Sequence, residues 1–257
     1  VNTFKLSACI EWLFADVAPD LPGRVRAAAA AGLDAVEFWM WRGRDLDAIA
    51  AAANDSGITV AGICVEPWGA LTDPATHDEF LTGVRESCVA AAKLGCRTLI
   101  SQVGPEREGV PRADQHDAIV TGLGKAAPVV EDAGVTLIIE PLNTKVDHVG
   151  YYLHDSAEGI QIVREVDSPH VKMLYDRYHS LTMGEPIGYG VDGNMDLVHH
   201  VHIADVPGRQ EPGTGRADWQ AELDHLAGQG YQGYLGLEYQ PTTETVRSLA
   251  TFLALTK

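Results

Sequence analysis

Thr136-Leu137-Ile138-Ile139-Glu140-Pro141-Leu142-Asn143 sets the reading of the chain. Four residues with the composition of a buried strand run into a carboxylate, and a proline follows at once. Apolar residues on both faces suit a strand of a parallel sheet that helices cover on both sides. An acid at the end of such a strand adds nothing to packing. The layout recurs downstream. Val171-Lys172-Met173-Leu174-Tyr175 runs into Asp176, His200-Val201-His202-Ile203-Ala204 into Asp205, and Tyr234-Leu235-Gly236-Leu237 into Glu238. Strands of this kind lying parallel and side by side would bring metal-binding or proton-moving groups to one rim.

Outward from this stretch the same grammar continues. Residues 4–10, 35–40, 59–65 and 98–103 read as earlier strands. Residues 22–31, 46–56, 74–94, 112–133, 156–166, 219–227 and 243–255 read as helices, with Gly57 and Gly95 as stops and Pro128 as a kink or break. A short helix is expected near 195–199. Residues 177–194, with four glycines and a proline, are too long for a plain connector and read as an active-site loop, and 207–216 as a second one. Eight strands alternating with helices imply parallel pairing and right-handed crossovers. The expectation is an α/β fold, one (β/α)8 TIM barrel domain spanning residues 1–257. A doubly wound open sheet is the alternative and would gather ligands at one crevice. Chemistry on consecutive strand ends fits the barrel better.

Composition narrows the function. The chain has 257 residues, 46% of them hydrophobic, and a formal net charge of −17. Nucleic acid and anionic membranes reward a basic face, so neither is an expected partner. No apolar run reaches the ~18 residues of a membrane span, and no secretory-signal pattern opens the sequence. Cys9, Cys64, Cys88 and Cys96 form no C-x-x-C pair and are expected to be buried free thiols in a cytoplasmic protein.

Glu140, Asp176, His202 and Glu238 end consecutive strands, about one βα unit apart. Three carboxylates at close range repel, and a divalent cation relieves that. Oxygens with one imidazole suit one Mn²⁺, Mg²⁺ or Co²⁺ rather than a thiolate zinc site. His200 and His202 share a strand face, so one can be a ligand and the other can hold it in place. His179 and Arg209 fall on the exit loops and could bind substrate oxygens or stabilise an enediolate. Gly188-Tyr189-Gly190-Val191-Asp192-Gly193 matches a dinucleotide fingerprint but does not follow a strand. No P-loop and no serine elbow is present.

Glu140-Pro141-Leu142-Asn143-Thr144, Tyr151-Tyr152-Leu153, HVHIADVPGRQEP at 200–212 and GYQGYLGLEYQP at 230–241 resemble the hydroxypyruvate isomerase family of xylose-isomerase-like barrels. The resemblance spans nearly the whole chain. It implies one divalent metal on Glu140, Asp176, residue 202 and Glu238, with Glu140 and Glu238 doubling as the acid–base pair. It also implies that His179 and Arg209 contact substrate oxygens and that Glu37 and Trp39 line the pocket. The implied activity is interconversion of a small aldehyde and hydroxyketone, a hydroxycarbonyl or sugar substrate; a homo-oligomer is compatible. Relatives of that family carry glutamine where this chain has His202. Histidine there is typical of ketose 3-epimerases, which place a second glutamate where this chain has Val146. A 3-epimerase with the same metal site is therefore the alternative.

Overall fold

Each apolar run forms a strand and a helix follows it. The strands are β1 Lys5–Cys9, β2 Ala35–Phe38, β3 Thr59–Cys64, β4 Thr98–Ser101, β5 Thr136–Ile139, β6 Val171–Asp176, β7 Val198–Ile203 and β8 Tyr234–Leu237. The helices are α1 Leu21–Ala30, α2 Leu46–Ser56, α3 His77–Leu94, α4 Arg112–Asp132, α5 Ser156–Val166, α6 Arg177–Met183, α7 Trp219–Gly228 and α8 Thr245–Leu255. The computed structural model describes residues 4–255; the ends of the expected domain, residues 1–3 and 256–257, lie outside the described residues. All pairings are parallel, and β8 closes on β1, so the strands form a closed barrel in sequence order. The expected barrel, not the open sheet, is what forms.

Period-two alternation divides β3 to β6 between two cores. Leu137, Ile139, Met173, Tyr175, Val201, Ile203, Leu235 and Leu237 face the helices in the larger core. Cys64, Ile100, Ile138 and Leu174 form a small separate cluster inside the barrel, with Trp39 against it. That inner cluster is the floor of the site. Glu140 follows Ile138 by two residues and Asp176 follows Leu174 by two, so both carboxylates stand above it. Asp176 and His202 are register partners across β6 and β7, and His202 and Gly236 across β7 and β8.

Aspartates start many of the helices. Asp20, Asp45, Asp155, Asp176 and Asp218 each accept a first-turn backbone N–H at α1, α2, α5, α6 and α7. Gly57 and Gly95 stop α2 and α3 with φ of 68° and 66°, the left-handed conformation that glycine adopts without strain.

The structure corrects several expectations. α4 runs unbroken through Pro128. Residues 177–194 are not one long loop: α6 fills the first part, started by Asp176 and stopped by Gly184 at φ 87°. The short helix expected near 195–199 is a 3-10 turn at Met195–Leu197, and β7 begins at Val198. The fingerprint-like glycines sit in turns between α6 and β7. A side chain at Gly190 would come within 2.5 Å of the Ala157 backbone, so that glycine serves a close approach to α5. No helix among the described residues is long and apolar enough to cross a membrane.

Candidate active site

Glu140, Asp176, His202 and Glu238 converge at the C-terminal rim, all buried, with one donor atom from each within 4.8 Å of the others. His202 Nδ1 faces the acids, 3.2 Å from Glu238 Oε2, 3.6 Å from Glu140 Oε1 and 3.9 Å from Asp176 Oδ2. His202 Nδ1 and Glu140 Oε1 have no hydrogen-bond partner among the described residues. Buried polar atoms are almost always satisfied, so orphans aimed at a common point indicate a missing partner. Three carboxylate oxygens and an imidazole nitrogen fit a divalent cation.

The carboxylates differ in their surroundings. Asp176 Oδ1 accepts the backbone N–H groups of Tyr178 and His179 at 2.7 and 3.2 Å, which leaves Oδ2 toward the site. Glu238 accepts from Trp39 Nε1 at 2.6 Å and from Arg209 Nη2 at 2.5 Å. Burial alone would raise its pKa, but Arg209 and then His202 more than offset this and hold it well below the usual carboxylate range. Glu140 forms no ion pair with an arginine or lysine among the described residues. Burial, only partly opposed by His202, pushes it up to about 7. Burial lowers His202, yet Glu238 and Glu37 outweigh that and raise it well above the ordinary histidine value.

Above the acids is a cavity of about 160 Å³, whose lining includes Trp12, Trp39, Gln102, His148, His179 and Arg209. His179 Nδ1 accepts from the Asn143 backbone N–H at 3.1 Å and from its Nδ2 at 2.7 Å. The Asn143 amide is itself oriented, because its Oδ1 accepts from the backbone of Val146 and Asp147. The His179 proton therefore sits on Nε2, which has no hydrogen-bond partner among the described residues and lies 3.5 Å from Asp176 Oδ2. Burial, then Arg209, lower its pKa well below normal, so it is a neutral donor. Arg209 adopts φ 54° on the β7–α7 loop, and its guanidinium lies 5.0 Å from the rings of both Trp12 and Tyr178.

His179, Arg209 and Trp39 thus stand at the cavity. Glu37 does not: it lies beneath the acids at 2% exposure, against Ser7, His200 and His202. His179 belongs to α6 rather than to a loop. Asp205, which ends its run as Glu140 and Glu238 end theirs, turns away. Its carboxylate accepts from the backbones of Val206, Gly213 and Ala217 and from Trp219 Nε1, pinning the loop that carries Arg209. Trp12, Gln102 and His148 were not singled out from the sequence. Alternation from Ile100 would have found Gln102; Trp12 and His148 lie on irregular loops without periodicity. All four cysteines are free and buried.

The sequence model of the xylose isomerase-like TIM barrel family matches residues 25–255. A putative hydroxypyruvate isomerase of Xenopus laevis is 32% identical over 95% of this chain and 93% of its own length. The chain belongs to the xylose isomerase-like barrels, in the hydroxypyruvate isomerase family. A hydroxypyruvate isomerase of Escherichia coli is 28% identical, covering 95% of this chain and 96% of its own. The solved structure of an AP endonuclease, family 2, from Brucella melitensis superposes with a TM-score of 0.90 at 29% identity, covering 98% of each chain.

Proposed function

We propose that this xylose isomerase-like barrel is a divalent-metal-dependent isomerase that interconverts a small aldehyde and hydroxyketone, of the hydroxypyruvate/tartronate semialdehyde type. The kinship with isomerases supports an isomerase or epimerase activity. The observation that carries the finer reading is the cluster of Glu140, Asp176, His202 and Glu238 under a cavity of about 160 Å³. That volume is well below the roughly 300 Å³ at which pockets for drug-sized ligands begin, and it suits a substrate of a few carbons. A net charge of −17 disfavours a DNA substrate.

When bound, a divalent cation held by those residues would acidify the substrate's carbon-bound proton by drawing charge from the adjacent oxygens. Glu238, held ionised by Arg209, takes the proton from the hydroxyl-bearing carbon. The electron pair of that C–H bond becomes the enediolate double bond, and the carbonyl pair moves onto oxygen. His179 Nε2–H donates to the oxygen that gains charge, and Arg209 favours the anion electrostatically. The proton returns to the former carbonyl carbon, while the hydroxyl proton passes to the other oxygen. The carbonyl has then moved by one carbon with no net redox change. Glu140, whose carboxyl takes up a proton more readily, is the partner acid across the site.

Because Glu140 and Glu238 come from β5 and β8 to one cavity, proton return to the opposite face of the same carbon is the second reading, which gives 3-epimerisation. A screen of small α-hydroxycarbonyl compounds with Mn²⁺ tests both. Glu238→Gln should cut turnover at least about a hundredfold with the fold intact. Near-normal turnover in that variant would overturn the assignment.

A further inference from the structure

Beneath the acids lies a buried group that the chemistry above does not use. Glu37 Oε2 accepts from Ser7 Oγ at 2.9 Å and lies 2.9 Å from His200 Nε2. Its Oε1 lies 2.8 Å from His202 Nε2, off the hydrogen-bond angle. The His200 and His202 rings meet edge to face with centroids 4.9 Å apart. Glu37 reaches this position at a register shift in the β2–β3 pairing, between Val36 and Glu37. Such irregularities re-aim side chains beside active sites.

Gly236 is the fifth member. It pairs with Ser7 on one side and His202 on the other. A Cβ there would lie 2.5 Å from His202 Cδ2, 2.6 Å from Glu37 Oε1 and 2.7 Å from His200 Nε2. This glycine is needed for space: any side chain at 236 would displace the very atoms that face His202.

We infer that Glu37 is a positioning residue for the metal centre. Its carboxylate holds the inner nitrogen of His202, so that Nε2 keeps its proton and Nδ1 is presented to Glu140, Asp176 and Glu238. Gly236 supplies the room. The inference rests on the metal-centre reading above. An imidazole can ligate through either nitrogen, and a carboxylate on one nitrogen selects the other and makes it a better donor. His200 and Ser7 act on the carboxylate itself, meeting the oxygen that His202 leaves free. Two hydrogen bonds at Oε2, from Ser7 and His200, and the close His202 Nε2 contact at Oε1 thus converge on Glu37.

The test is Mn²⁺ binding by titration calorimetry on metal-stripped full-length protein, with circular dichroism confirming the fold of each variant. Glu37→Gln should weaken Mn²⁺ affinity about 10- to 100-fold, the usual cost of losing an outer-shell partner. Gly236→Ala should weaken it in the same direction without touching a charge. In a His202→Gln background Glu37→Gln should add little, because the carboxylate acts through the ring. Wild-type protein with ¹⁵N-labelled histidine, loaded with ¹¹³Cd²⁺, supplies a readout that needs no variant: metal coupling at Nδ1 of one histidine whose Nε2 keeps its proton. Glu37→Gln affinity within about threefold of wild type, an undiminished Glu37→Gln effect in the His202→Gln background, or coupling at Nε2 would each overturn the inference. Failure of the wild type to take up any metal would remove the centre itself, and this inference with it.

Discussion

Arg209 Nη2 lies 2.5 Å from Glu238 Oε2, in a buried pair flanked by the rings of Trp12 and Tyr178. Arg209 lies closest to this glutamate, with Asp176 Oδ2 farther off at 3.7 Å. Glu238 stays ionised while Glu140 rises to about 7, and two chemically identical side chains acquire different proton affinities.

Removing that cation should show in the pH profile. With Arg209→Ala, Glu238 loses the largest influence opposing its burial, so its pKa rises. If ionised Glu238 is the base, the acidic limb of kcat/KM moves to higher pH, and the plateau falls by about 10²–10³ from loss of anion stabilisation. Arg209→Lys should recover part of both effects. An unmoved acidic limb in Arg209→Ala would separate Glu238 from the proton transfer.

Metal uptake should release protons. Glu140 (about 7) and His202 (raised well above 6.5) both hold protons that a cation must displace. Apparent Mn²⁺ affinity should therefore climb as pH rises through neutrality. The sign for stability is the same for both groups. Each has a folded pKa above its unfolded value, so its stabilisation of metal-free protein is present at low pH and is lost as pH rises through the folded pKa. The gain in Tm on adding Mn²⁺ should widen from pH 5 to pH 8. A gain that is flat or shrinks over that range would contradict the titration scheme.

Asp176→Asn should lose metal affinity, because a neutral amide replaces the proposed ligand oxygen that faces His202. Met173→Leu, on the same strand but facing the outer core, should leave binding intact as a nearly volume-conserving swap. Calorimetry on both variants decides. Equal losses would mean that this strand matters only for folding.

Asp205 gives the opposite pattern. Asp205→Asn turns an acceptor of three backbone N–H groups and an indole into a group that must donate from one side. Stability should fall by about 3 kcal/mol, the scale of charge-assisted bonds lost at a buried group. Metal affinity should change far less. Thermal melts and calorimetry side by side would reveal a larger effect on the metal if Asp205 were a ligand.

The sequence made the rim legible where alternation and strand ends coincide. Ile138 and Glu140 share a face, as do Leu174 and Asp176, so reading every second residue places the acids over the inner cluster. It failed where backbone irregularity decides. Glu37 reads as an inward strand residue, yet the register shift at Val36/Glu37 sets it under the histidines rather than in the cavity. Asp176 looked like a ligand alone; its other oxygen also starts α6, which is why His179 lies on a helix where a loop was expected. Asp205 matches Glu140 and Glu238 in pattern, but β7 ends at Ile203 and the chain turns before it. Local sequence carries the period of a strand, not the residue at which its sheet pairing stops.

The most direct measurement follows deuterium in D₂O by NMR, with hydroxypyruvate as substrate, using metal-stripped protein with and without Mn²⁺. The account predicts no turnover without metal. With Mn²⁺ it predicts tartronate semialdehyde carrying solvent deuterium at the carbon that was the carbonyl, with partial labelling where the abstracted proton returns before it exchanges. Full activity in protein shown by elemental analysis to be metal-free, or a product formed by hydrogen transfer with no solvent label under any condition, would contradict it.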